Sequence, residues 1–389
     1  MKSVEVNIQP EIIKWALAQT PTAKLDEKFM NNITNWLDGT KTPTFKQIET
    51  LSKKTNIPLG YFFLQKPPVE QIKLLEYRTV DSIQLGNNPS RNLIDTIYSM
   101  ENVQEWFRDY RQEMGYDNLD FVGCMMGVKE TSKIVERIRS DLGLSTNWYE
   151  YCNNIDRAFK FIRERLEICG VVVMMNGVVG NNTHRPLDVN EFRAFAMVDD
   201  FAPLIFINAA DSKGAKLFSL LHETAHIWLG ENSLFNNKYF QIDEVNLSCV
   251  EIICNAVAGE LLVPKDIFLN KWAACFDDVF FVIKKLARYF CCGQVVVARK
   301  ALDCNLISRD IYNKVVYKAI EDFKQMKVKQ KGRGGNYPNT LDSRLDTCFV
   351  KALCESINMG RTSYTEAYRL TNTNRKTFSE MEQRIGGVN

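Results

Sequence analysis

Apolar residues recur at helical spacing through most of the chain. Ile12, Ile13, Trp15, Ala16 and Leu17 mark one amphipathic helix, with Pro10 in its first turn, where a missing N–H is not needed. A second helix runs to Trp36 and Leu37 and stops at Gly39. Thr42-Pro43-Thr44 starts a third through Ile48, Leu51 and Ser52, and Asn56–Pro58 ends it. The apolar run Leu59–Leu64 follows, and Pro67–Pro68 reads as a boundary. From 70 to 165 the pattern is long-helical. Leu93, Ile97, Val103, Trp106 and Phe107 share one face, and Ile134–Leu142 and Ile155–Leu166 behave alike.

The texture changes at Gly170. Residues 171–179, VVVMMNGVV, are β-branched and bounded by glycines, and predict a buried strand. FRAFAMV (192–198) and PLIFIN (203–208) predict a hairpin. Helices return near Asp211. Residues 324–336 carry five Lys/Arg and three Gly without apolar period, which predicts a linker or loop, and 341–386 predict a small helical tail. The fold class expected is α+β: mostly helical, with a small sheet packed on a helix pair and helical domains on either side.

The length of 389 residues sets an expectation of two or three domains. Lys plus Arg number 49 and Asp plus Glu 47, a formal charge of +2, which excludes a chain basic all over that coats nucleic acid non-specifically. No apolar leader opens the sequence and no run of about 18 uncharged apolar residues occurs, so no membrane span is expected. The 11 cysteines form no C-x-x-C pair, which fits reduced thiols in a cytoplasmic protein.

The chemistry concentrates in DSKGAKLFSLLHETAHIWLG (211–230), a helix with Asp211 or Ser212 as cap and Gly230 at its end. His222 and His226 are four apart, so both imidazoles leave one face, one turn apart, and can share a Zn2+. Glu223 follows the first histidine and can take a proton from a water held there. Two buried imidazoles without a metal would compete for partners. A third ligand is required, and no third histidine follows at a fitting spacing. The next amphipathic helix, about 245–263, offers Glu251. Asn255, four residues on, can hydrogen-bond and orient a ligand. Asp243, Glu244 and Glu260 compete for the place; the first two suit a helix start and the third a solvated face.

These segments resemble the ImmA/IrrE family of zinc metallopeptidases over about 185–264. The matching pieces are EFRAFAMVDDFAPLIFIN (191–208), LFSLLHETAHIWLG (217–230) and VEIICNAVAGELLVP (250–264). The resemblance implies that the third ligand is the glutamate four residues before the Asn of the last motif, which falls on Glu251. It also implies substrates such as phage or stress-response repressors, or a place beside toxins and antitoxins. Residues 4–66 resemble the Cro/C1-type helix-turn-helix, with NWLDGTKTPTFKQIETLSKKTNIPLGYFFL as its second half. Between Ala16 and Trp36 the chain is about five residues short of that pattern. A helix that reads bases must reach the major groove, so docking or dimerisation is the alternative to DNA binding.

The expected organisation is a degenerate helix-turn-helix-like domain (1–66), a helical connection (67–165), a zinc metallopeptidase core (166–270), a helix-turn-helix-like extension (271–323), a basic Gly-rich linker (324–340) and a helical tail (341–389). His184, Arg185 and Tyr239 are candidates for an oxyanion or substrate contact, with His184 in a polar stretch that reads as a loop. Strand 204–208, just before the metal helix, is a candidate edge for an extended substrate. The expected function is zinc-dependent endopeptidase action on a repressor or antitoxin-like protein. The alternative is a non-proteolytic antitoxin or transcriptional regulator that works by binding protein or DNA.

Overall fold

The structure, a computed structural model, describes residues 4–19, 25–70, 72, 74, 89–235, 248–330 and 343–385. The chain divides into two units: residues 1–73 with 86–96, and residues 74–85 with 97–389.

The first unit is helical. Its helices are α1 (Pro10–Ala18), α2 (Glu27–Leu37) and α3 (Phe45–Thr55), followed by a 3-10 turn at Leu59–Phe63. The start of α3 at Thr44 and its end at Asn56 fall where the sequence signals stand. Asp26 accepts from the Phe29 N–H to cap α2. Thr44 and Gln47 form a reciprocal capping box on α3, and Asn56 closes it in the left-handed region. Ile12, Ile13, Ile33, Trp36, Ile48, Leu51 and Phe62 make the core. Residues 20–24, within the stretch that is short of the helix-turn-helix pattern, lie outside the described residues.

The division between units falls within α4 (Arg91–Glu113). The second unit continues with α5 (Thr131–Leu142) and α6 (Ile155–Cys169), then enters the sheet region. The strand expected at 171–179 is two strands, β1 (Val172–Asn176) and β2 (Val178–Val179). The Asn176 side chain causes the break, because its Oδ1 accepts the N–H groups of Gly177 and Val178 at 2.9 and 3.3 Å and turns the chain. β2 pairs with β3 (Asn182–Pro186) in a separate two-stranded sheet. The expected hairpin is present as β4 (Ala194–Met197) and β5 (Leu204–Asn208), antiparallel, with Phe195 stacked on Phe206 at 5.0 Å. The metal-motif helix α7 (Lys213–Leu229) follows, then β6 (Ser233–Phe235). The main sheet runs β1-β5-β4-β6, with β1 parallel to β5 and β4 antiparallel to both its neighbours.

This order overturns one expectation. β5 lies between β1 and β4, so its backbone is used on both sides and it offers no edge to a substrate. All five of its residues are buried, as an interior strand covered on both faces requires.

Helices α8 (Cys249–Leu262), α9 (Lys265–Ala273), α10 (Val279–Tyr289), α11 (Gln294–Asp303) and α12 (Arg309–Gln330) complete the large core with α5, α6 and α7. Residues 324–330, expected to open the linker, instead continue α12. Lys, Gln and Met are good helix formers, so a charged stretch without an apolar stripe can still extend a packed helix. The glycines of that basic stretch lie outside the described residues. The C-terminal helices are α13 (Thr347–Asn358), α14 (Tyr364–Thr371) and α15 (Arg375–Ile385). The result is an α+β fold, mostly helical, with a small mixed sheet. Among the described residues no helix is long and apolar enough to cross a membrane.

One buried polar cluster ties α13 to the sheet. The Arg163 side chain donates to Glu167, to the Val173 carbonyl of β1 and to the carbonyls of Ser343 and Leu345. Asp346 caps α13 through the Phe349 N–H and accepts the Val173 N–H at 2.9 Å. Both backbone groups of Val173 are thereby satisfied by side chains.

Candidate metal centre

α7 is positioned at both ends. Ser212 accepts the Ala215 N–H at its start, while Asp211 pairs with Arg193 instead of capping. Gly230 ends the helix with φ +73°, and a Cβ there would meet the Cα of Gly123 at 3.1 Å, so both conformation and space demand glycine. The face carrying His222, Glu223 and His226 is buried. α8 packs beside α7, with Ser248 as its cap, and the Ser248 hydroxyl accepts the Glu251 N–H at 3.2 Å. Glu251 therefore leaves the first turn of α8.

Three side chains converge. His222 Nε2 and His226 Nε2 are 3.1 Å apart, and each faces one oxygen of Glu251, at 3.2 and 3.3 Å. Among the described residues they form the group able to hold a metal ion, with ligand atoms all within 4.8 Å of one another. The spacing fits zinc: bonds of about 2.0–2.1 Å at tetrahedral angles put ligand atoms about 3.3 Å apart. The unmatched polar atoms fit as well. Glu251 Oε2 lies within 3.2 Å of an imidazole nitrogen yet makes no well-aligned hydrogen bond. These atoms point at a common centre more than at each other, and a divalent cation there resolves the conflict.

The electrostatics follow from enclosure. Burial alone would raise Glu251, but His222 and His226 override it and hold the carboxyl well below the usual carboxylate range. Burial drives His222 down towards its neutral, ligating form. At His226 burial is outweighed by Cys254 and Glu251, which raise it. Glu223 is fully buried, and desolvation pushes it up to about 7, against the opposing effects of His226 and Ser233.

The other candidates separate clearly. Asn255 sits one turn beyond Glu251 on α8, and its buried Oδ1 makes no hydrogen bond. Glu260 pairs with Lys300 at 2.7 Å and accepts the Lys265 N–H, so its carboxylate is engaged elsewhere. His184 and Arg185 lie on β3 of the second sheet, not in a loop and not on the helix pair, and His184 is exposed. Their expected oxyanion role has no support from this placement. Tyr239, Asp243 and Glu244 lie outside the described residues.

Three neighbours escaped the sequence reading. Ser233 of β6 donates its hydroxyl hydrogen to Glu223 Oε2. The Phe235 ring lies 4.0 Å from the His222 ring. Cys254 stands beside His226. Helical spacing from Glu251 would have pointed to Cys254. A three-residue strand leaves no such signal for Ser233.

An HExxH helix paired with a glutamate-bearing helix over a small mixed sheet defines a metallopeptidase-like unit. Residues 167–302, about a third of the chain, match the family model described as IrrE N-terminal-like domain, of the M78 peptidases. That match spans His222, Glu223, His226 and Glu251, supports the ImmA/IrrE family, and continues past residue 270 through α9 and α10 into α11. Residues 345–384 match the model described as Domain of unknown function (DUF8813), which covers the C-terminal helices. No curated protein and no solved structure matches the chain.

Proposed function

We propose that the chain is a zinc-dependent endopeptidase that hydrolyses a peptide bond in a regulatory protein such as a repressor or antitoxin, in phage or stress response or toxin–antitoxin regulation. The observation that carries this reading is the buried Glu223 beside the converging His222, His226 and Glu251, with Oε1 bearing no hydrogen-bond partner. A purely structural metal site has no use for such a base. His222, His226 and Glu251 would hold the zinc, and Asn255 would orient His222. Bound zinc supplies a Lewis acid that polarises a carbonyl and makes water acidic enough to give up a proton near neutrality.

Glu223 does the proton work. Its free oxygen takes a proton from the attacking water as the new C–O bond forms, and returns it to the amine as the C–N bond breaks. Enclosure supports this role, because a carboxyl held near neutrality can both accept and release a proton. β6 stands at the end of the main sheet, beside the metal group, and its outer side carries no strand among the described residues. An extended substrate pairs there, in place of the interior β5.

A second reading is favoured by one observation. His222 and Glu223 have no exposed surface at all. A protein that holds zinc for stability and works by docking, as an antitoxin or a regulator that binds protein or DNA, has its metal enclosed in this way. One experiment separates the two. The zinc-loaded protein and Glu223→Gln are each mixed with the product of the neighbouring gene. Cleavage by the wild type, lowered at least a hundredfold in Glu223→Gln, is expected for a lost general base. Equal cleavage by both would remove Glu223 from the mechanism. Binding by both with cleavage by neither would favour docking.

A further inference from the structure

The general base needs one oxygen free and aimed, and β6 supplies the means. Glu223 Oε2 accepts the hydroxyl hydrogen of Ser233, while Oε1 has no partner. The direction of that hydrogen bond follows from the ionised carboxylate, which can only accept, and a third group holds the hydroxyl in place. The Ala196 N–H of β4 donates to Ser233 Oγ at 3.3 Å, while the hydroxyl hydrogen goes to the carboxylate. Ser233 itself is immobilised, being buried and paired with Ala196 across the β4–β6 ladder.

We propose that Ser233 is a positioning residue for the general base, one that occupies Glu223 Oε2 and so leaves Oε1 as the carboxyl's sole free proton acceptor. The proposal rests on the zinc-peptidase reading of this site. It adds that the base is aimed by the end strand of the sheet, not by α7 alone. A carboxylate free to rotate about its last bond would present either oxygen, at variable distance from the reacting atoms; the fixed donor removes that freedom.

The test uses the full chain loaded with zinc, as wild type, Ser233→Ala, Ser233→Thr and Glu223→Gln. Zinc affinity is measured by competition with a chelating dye. Affinity for acetohydroxamate, whose hydroxyl hydrogen Glu223 Oε1 can accept, is measured by calorimetry. Zinc affinity should agree across the four proteins within about threefold, while acetohydroxamate binds Ser233→Ala and Glu223→Gln about tenfold more weakly or worse, as lost orienting partners commonly do. Ser233→Thr keeps the hydroxyl and should restore most of the affinity. A Ser233→Ala protein that holds zinc and binds acetohydroxamate as the wild type does would overturn the proposal. Loss of zinc affinity in Ser233→Ala in parallel with the probe would also overturn it, since that marks a general structural role. A wild-type protein that takes up no zinc defeats the metal reading itself, and the proposal with it.

Discussion

At the scale of single residues, the centre places two carboxyl groups in one enclosure and gives them opposite characters. Glu251 faces two imidazoles and stays ionised, whereas Glu223 is desolvated and held near neutrality. The same burial acts on both, so the difference comes from which side chains stand opposite. Asn255 is one helical turn past Glu251 on α8, so it shares that ligand's face without being a ligand in the converging group. Asn255→Ala should therefore weaken zinc binding by roughly tenfold without removing it, the usual size of a lost orienting partner, whereas His226→Ala should abolish stoichiometric binding. Metal content after dialysis against a graded chelator distinguishes the two.

At the scale of elements, the site depends on two close approaches. One joins α7 to α11: a Cβ on Gly214 would lie 3.0 Å from the Cα of Gly293, which is backbone and cannot turn aside. Gly214→Ala should cost about 1–3 kcal/mol as overpacking, seen as a lower denaturation midpoint with unchanged slope. Elements of this kind also show what was readable in the sequence. The i, i+4 histidines and Glu251 could be placed because a helix repeats every 3.6 residues, so spacing alone decides which side chains share a face. The start and end of α3 could be read because Thr44 and Asn56 act on their own backbone. Strand neighbours could not. LIFIN reads as buried, but nothing in four apolar residues and an asparagine says whether one edge or both are paired. β6 is too short to show alternation, so Ser233 and Phe235 went unseen although they touch the centre. Which strand lies beside α7 is decided by tertiary packing, after local preference has been spent.

At the scale of the whole molecule, the cluster of Arg163, Glu167 and Asp346 joins α6, β1 and α13 with two carboxyl groups for one guanidinium. Burial and the neighbouring Glu167 push Asp346 up to about 7, and burial raises Glu167 too. Between the unfolded value of 3.8 and about 7, the folded state binds more protons than the unfolded one, so stability falls as pH rises through that window. The thermal midpoint of the large unit should drop by a few degrees from pH 6 to pH 8, and by less in Glu167→Gln, where Asp346 no longer faces a like charge. Calorimetric scans at the two pH values check this. The same cluster takes the outer N–H and carbonyl of Val173 in β1. A strand at the border of a sheet is normally an invitation to other chains, and here the C-terminal helices decline it on the molecule's behalf. A version cut before Ser343 would bare Val173 to solvent, and light scattering should then find it gathering into larger species as its concentration rises, while the intact chain keeps its size.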